Sequence, residues 1–352
     1  MINHKKIYSA RPAAAAKQAG FSLIEFLVAS ALSMIVLIAV GSGYFASRQL
    51  SDTALARLNV QQDLRNTANL IVRDARMAGS FGCFNMAAYR PDAVSEAADS
   101  EAALRLSVPG QNSLVPVKAL AAAEFSPAGF AAESEALVFQ YGVGSASIIN
   151  LTANGAELQI PAGDPLQTAV NGTPLVFSSC AVLDRPAVYT VSRSNNRLNI
   201  GNIAPALSAA QVANEFAVLR YTVNAYVLGT AGEQQGLFRF QLADNGGWSN
   251  PQLLMPGIEA MDIQYGYVNN CPVIGAASEA AAEETFEFTD TLKTGNDAEG
   301  EGVAAPAIIR ITLNGGNDVA AQTAVGDAAG GVHVYNIDAT VRGGNICADR
   351  AI

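Results

Sequence analysis

Residues 21–46 read FSLIEFLVASALSMIVLIAVGSGYFA, and this stretch decides the architecture. It is apolar apart from one charge, Glu25, and a few small polar residues. About twenty apolar residues suffice to cross a bilayer core as a helix. Upstream, Lys5, Lys6, Arg11 and Lys17 are the only charged residues among the first twenty. Basic residues before the span, and none in its first turns, predict a start that faces the cytoplasm. A secretory signal has a shorter apolar stretch, with its small-residue cleavage site after it. Here the candidate cut, at Gly20, comes first, so the membrane helix stays in the mature chain.

Glu25 is the anomaly in that helix. A carboxylate within a membrane span is costly, and such residues are functional by default. Cleavage between Gly20 and Phe21 would create a positive amine one helical turn from Glu25. That amine and the positive end of the helix dipole would both favour the carboxylate. The plainer alternative is an interfacial glutamate tolerated in a simple anchor.

The string Gly20-Phe21-Ser22-Leu23-Ile24-Glu25, followed by an uninterrupted apolar helix, resembles the class III signal of type IV prepilins and related pseudopilins. The resemblance implies cleavage after Gly20 by prepilin peptidase and N-methylation of Phe21. It also implies that Glu25 pairs with the N-terminal amine of a neighbouring subunit during assembly. Glycine suits the cut because it lets the scissile backbone approach a catalytic site closely. Many major pilins carry a proline near the middle of this helix. Here the nearest helix-weakening stretch is Gly41-Ser42-Gly43, each glycine costing roughly 1 kcal/mol relative to alanine.

Beyond Phe45 the pattern becomes amphipathic. Leu64, Ala68, Ile71, Ala75 and Ala78 mark one apolar face, while Arg57, Asp63, Arg65, Asn66, Arg73 and Arg76 lie mostly elsewhere. Gly79 is the expected stop. A helix over 21–78 would be on the order of 87 Å long at 1.5 Å per residue. After Gly82 the chain turns strand-like, with expected strands at 137–143, 147–151, 175–178, 188–192, 216–228, 237–242, 258–268, 307–313 and 332–341. The segments 216–228 and 258–268 alternate as half-buried antiparallel strands do. Residues 90–134 read as an irregular or partly helical insertion, and 276–302 as an exposed loop.

The expected organisation is therefore a leader (1–20), a transmembrane half-helix (21–46), an amphipathic half-helix (47–79) and a periplasmic β-rich head (80–352) containing the 276–302 loop. The fold class is α+β, type IV pilin-like: a long N-terminal helix packed on an antiparallel sheet. Arg73-Asp74-Ala75-Arg76-Met77-Ala78-Gly79, then Gly82-Cys83, resembles the end of the long helix in PilW-type minor pilins. The stretches Leu237-Phe238-Arg239, Leu253 to Met261 and Ile263-Gln264-Tyr265-Gly266 are similar to a later segment of that group. J-type pseudopilins of type II secretion share the plan and are typically shorter.

Composition narrows the chemistry. The 352 residues are 50% apolar, and only 15% are charged, against roughly 25% in ordinary soluble domains. The net charge is −10; setting the four leader cations aside leaves 17 of 21 basic residues against 31 acidic ones, a net −14. So acidic a body disfavours general nucleic-acid binding. Of the two histidines, His4 lies in the leader and His333 in an apolar–polar alternation that reads as strand. A histidine zinc cage or an acid–base triad therefore has little to draw on. Oxygen-rich clusters at Asn296, Asp297 and Glu299, and at Asn314, Asn317 and Asp318, suit calcium in kind. Neither matches an EF-hand loop, and solvated loops are the commoner outcome. The glycine pairs at 315–316, 330–331 and 343–344 lack a P-loop lysine and read as turns. Trp248 and the tyrosines read as core.

Cys83, Cys180, Cys271 and Cys347 all follow the membrane helix and would face an oxidising compartment. None forms a C-x-x-C pair, so two disulfides are the economical reading. Of the three pairings, Cys83–Cys180 with Cys271–Cys347 is preferred. The leading expectation is a non-enzymatic minor pilin that needs no cofactor. Its partners would be prepilin peptidase, other major and minor pilins, and inner-membrane lipid before assembly. The alternatives are a secretion pseudopilin, a tip adhesin and an anchored periplasmic enzyme with an all-carboxylate site.

Overall fold

The computed structural model describes residues 20, 22–82, 84–85, 116–152, 155–179, 187–194, 197–201, 216–244, 246–269, 285–293, 305–316 and 334–342. The chain divides into two compact units, one ending at Leu55 and the other beginning at Ala56, and helix α1 (Leu23–Met77) contributes to both. The end of α1 is where the sequence placed it. Gly79 takes a φ of 76°, the left-handed conformation that closes a helix without a Cβ penalty. Its N–H then passes to the carbonyl of Gln140 at 2.9 Å, linking the helix end directly to the sheet.

The second unit is built from antiparallel strands. In chain order they are β1 (Ser80–Phe81), β2 (Phe84–Asn85), β3 (Val117–Leu120), β4 (Phe130–Ala132), β5 (Ala136–Thr152), β6 (Gly155–Gln159), β7 (Pro174–Ser179), β8 (Ala187–Ser194), β9 (Arg197–Gly201) and β10 (Phe216–Ala231). They continue with β11 (Gln234–Gln241), β12 (Gln252–Pro256), β13 (Ile258–Asn269), β14 (Thr285–Thr289), β15 (Ile308–Gly315) and β16 (Val334–Thr340). The long strand β10 organises the larger sheet. One edge pairs β5 and then β4, and the other pairs β7 and then β11, which in turn holds β12. A separate four-stranded sheet runs β14-β13-β15-β16.

Following the pairings from β5 through β6, β9, β8 and β7 leads back to β10, which itself pairs with β5. The path is closed, so this part of the head is a small antiparallel barrel with no free edge among those strands. Its interior is filled by Ile148, Leu158, Leu175, Val191, Leu198 and Val218, joined by Leu166 from a 3-10 turn at Pro165–Thr168. Asp164 caps that turn, accepting from the Leu166 N–H at 2.8 Å, and also accepts from the Ser145 N–H of β5 at 2.8 Å. This carboxylate therefore plugs the turn into the barrel wall.

Two further cores lie on opposite faces of β10. One joins Ile71 and Ala75 of α1, and Ala78 directly after it, to Tyr226, Leu228, Leu237 and Met255, and to Tyr265, Ile309, Ile311 and Leu313 of the smaller sheet. Leu64 and Ala68 pack against it from the same helix face, so the apolar stripe read from the sequence is the buried one. The other core gathers Phe125, Phe130, Val223, Val227, Phe238 and Phe240, with the Trp248 ring tilted against Phe125, centroids 5.0 Å apart.

The structure corrects several expectations. Strand β10 is not half-buried along its length: residues 223–229 are buried on both faces, because α1 covers one side and the Phe125–Phe130 segment the other. The segments 137–143 and 147–151 are one strand, β5, which passes a register irregularity opposite Val218–Arg220 rather than turning. Within 90–134, the described part beginning at residue 116 contains β3 and β4, not helix. Within the supposed 276–302 loop, Thr285–Thr289 forms β14 on β13. Its Thr-Phe-Glu-Phe-Thr alternation was hidden by acidic and alanine-rich surroundings.

Candidate functional site

Helix α1 begins immediately after Ser22, and its first turn closes on itself. The Ser22 N–H donates to Glu25 Oε2 at 3.0 Å, and the Glu25 N–H donates to Ser22 Oγ at 3.2 Å. This reciprocal pair is a capping box, satisfying two backbone donors that a helix start otherwise leaves open. Ser22 and Glu25 are exposed, as is Gly20, which precedes the helix. Phe21 lies outside the described residues. The Glu25 carboxylate is thus held at the Ser22 N–H.

From Leu23 to Phe45 the helix presents apolar side chains to its surroundings, with Leu23 78% and Phe45 68% exposed. Its most apolar window has a mean hydropathy of 2.6, and none of it is buried within the protein. Two of the small polar residues are satisfied locally: Ser30 Oγ donates to the Leu27 carbonyl and Ser42 Oγ to that of Ala39, each at 2.9 Å. Hydroxyls bonded within their own helix add little cost in a bilayer. Helix α1 runs through Gly41 and Gly43 without interruption.

A second polar site lies deep in the head and was not singled out in the sequence. Asp74 is fully buried at the last turns of α1. Its Oδ1 accepts from Arg73 Nε at 3.2 Å, Arg73 Nη2 at 3.0 Å and the Tyr141 hydroxyl at 3.0 Å. Its Oδ2 accepts from Asn224 Nδ2 at 2.8 Å and the Tyr226 hydroxyl at 2.6 Å, with Arg239 Nη2 at 3.6 Å. Asn224 Nδ2 also donates to Tyr141 OH at 2.8 Å. Burial first, and the adjacent Asp74 charge second, push the Tyr141 and Tyr226 hydroxyls well above the usual tyrosine range. Both therefore remain donors at any ordinary pH.

The remaining sequence-predicted residues are mostly not placed. Cys83, Cys180, Cys271, Cys347 and His333 lie outside the described residues, as do Asn296, Asp297, Glu299, Asn317 and Asp318. Asn314 is an exposed residue near the end of β15. Among the described residues, no cluster of histidine, cysteine and carboxylate side chains has the makings of a metal site. The structure thus brings Ser22 and Glu25 together at one helix start and gathers the Asp74 group separately in the head.

These features define a class: an α+β protein with a long N-terminal helix, apolar enough to anchor in a membrane, and a head of antiparallel sheets. Sequence comparison adds a specific likeness, since residues 15–41 match the prokaryotic N-terminal methylation motif. No curated protein and no solved structure matches the chain. The motif supports a type IV pilin-like or pseudopilin protein, and it implies processing by a prepilin peptidase and assembly with other pilins.

Proposed function

We propose that this chain is a minor pilin of the type IV pilus machinery, of the PilW type. In this reading it is cleaved after Gly20 and N-methylated on Phe21. It is held in the inner membrane by α1 with its head in the periplasm, and then built into a filament. Glu25 pairs with the N-terminal amine of a neighbouring subunit during assembly. The subunit helps to initiate the pilus, and so serves surface display, adhesion, twitching motility or DNA uptake. It is structural rather than enzymatic, and its four cysteines close as two disulfides.

One observation carries this reading: a capped glutamate opens an exposed apolar helix directly after Gly20-Phe21, inside a matched methylation motif. A simple anchor gains nothing from an acidic residue there, whereas a filament subunit with a free amine has a use for it. Intact mass and N-terminal analysis of the membrane-extracted chain, without reductant, provide the test. The expected species starts at N-methylated Phe21 and is about four mass units lighter than its reduced form. A chain starting at Met1, or cut after residue 46, overturns the assignment. Co-purification with secretion components instead of sheared pili would move it to the J-type pseudopilins.

A further inference from the structure

The Asp74 group invites a question that packing alone does not answer. The face that α1 presents to the head mixes small and larger side chains, Leu64, Ala68, Ile71 and Ala75, with Ala78 directly after the helix. A slip of one turn, about 5.4 Å, would set Thr67 or Ala75 where Ile71 packs, chiefly at the cost of apolar contact. Asp74 is different, because the same slip would set Leu70 or Ala78 against Tyr141, Asn224 and Tyr226. The carboxylate itself would lose donors from three separate strands, β5, β10 and β11.

The cluster is poorly designed as a stabiliser. Burying a carboxylate carries a desolvation penalty that paired donors only partly offset. Two of its own polar atoms, Asn224 Oδ1 and Arg239 Nε, are buried without a hydrogen-bond partner. What such a group supplies is discrimination: in one geometry it is satisfied, and in every neighbouring geometry it is an orphaned buried charge.

We propose that Asp74 is the registry-setting residue of the helix–head junction, fixing the rotation and axial position of the 56–77 part of α1 against β5, β10 and β11. The four-residue variant D74L/Y141F/Y226F/R239M replaces the charged group with apolar side chains of similar bulk. Tyr226→Phe removes a single donor and keeps the carboxylate. The measurement is amide hydrogen exchange on the full chain in detergent, read as the ratio of rates in helix peptides 64–77 to those in β10 peptides 218–228.

The four-residue variant is expected to raise that ratio about tenfold, or to split the helix peptides into two isotopic populations, while β10 stays protected. Tyr226→Phe is expected to raise it by about two- to threefold. An unchanged ratio in both variants overturns the proposal. So does equal acceleration in helix and strand, which is what lost stability by itself produces. Should the four-residue variant not fold, the Tyr226→Phe ratio alone decides. The inference rests on the head and holds whichever filament the chain joins.

Discussion

Replacing Glu25 separates two roles that one carboxylate combines. As a capping residue it accepts the Ser22 N–H at 3.0 Å, and loss of such a cap costs about 1 kcal/mol, roughly a fivefold effect. As a charge it would pair with a neighbouring amine at the membrane boundary. A pair about 4 Å apart at an effective dielectric near 20 is worth on the order of 4 kcal/mol, close to a thousandfold. Glu25→Gln keeps an oxygen for Ser22 but loses the charge, Glu25→Ala loses both, and Ser22→Ala weakens only the cap. Insertion should not suffer in any of them, because removing a carboxylate from an apolar helix favours the bilayer. Each variant is expressed in a strain lacking the native copy and quantified in membranes and in sheared filaments. Both Glu25 variants are expected at normal level in membranes and missing from filaments, with Ser22→Ala within about fivefold of wild type. Normal incorporation of Glu25→Gln would refute the charge role and leave capping as the whole explanation. Normal incorporation of Glu25→Ala would refute both.

Three further outcomes concern the head. Ile71→Ala, at a fully buried position where α1 meets both sheets, should destabilise by about 2–5 kcal/mol and lower the thermal midpoint by roughly 3–8 °C; a change below that range would mean that α1 settles into the gap. Gly229→Ala drives a Cβ into the Ala131 carbonyl oxygen, so β4 should detach from β10, seen as faster hydrogen exchange at 130–132 without loss of the barrel. Burial pushes the Lys118 amine from its ordinary 10.5 down to about 8, so the unfolded chain binds the extra proton between those values and stability should rise by about 2 kcal/mol from pH 7.5 to 9.5. Above about pH 10 the buried tyrosines reverse the trend, since their hydroxyls stay protonated only in the folded state. Lys118→Met should flatten the rise, and an unflattened curve would assign it to another group.

The parts of the molecule legible in sequence are those written over short distances along the chain. Ser22 and Glu25 are three residues apart, the apolar run is continuous, and Gly79 stands directly after the last residue of a helical stripe. Local periodicity also located β7, β8, β13 and β15 to within a residue or two. What escaped were strands too short to show a period, such as β4 and β12. Elements set in misleading composition also escaped, as β14 does among acidic and alanine-rich neighbours.

By itself, then, the sequence determined the methylation-motif segment, the membrane-competent helix, the face of that helix which turns inward, and the antiparallel character of the head. Tertiary structure decided the rest. That β5 through β10 close into a barrel depends on which edges meet, and hydrogen-bonding edges carry no residue signature. That Asp74 is buried depends on Tyr141, Asn224 and Tyr226, which stand 67, 150 and 152 residues away. Within its own helix Asp74 is a charge beside Arg73, indistinguishable from a solvated one. Only when the sheet folds against the helix do those distant donors converge, and only then does an ordinary surface-type residue become a fully buried carboxylate.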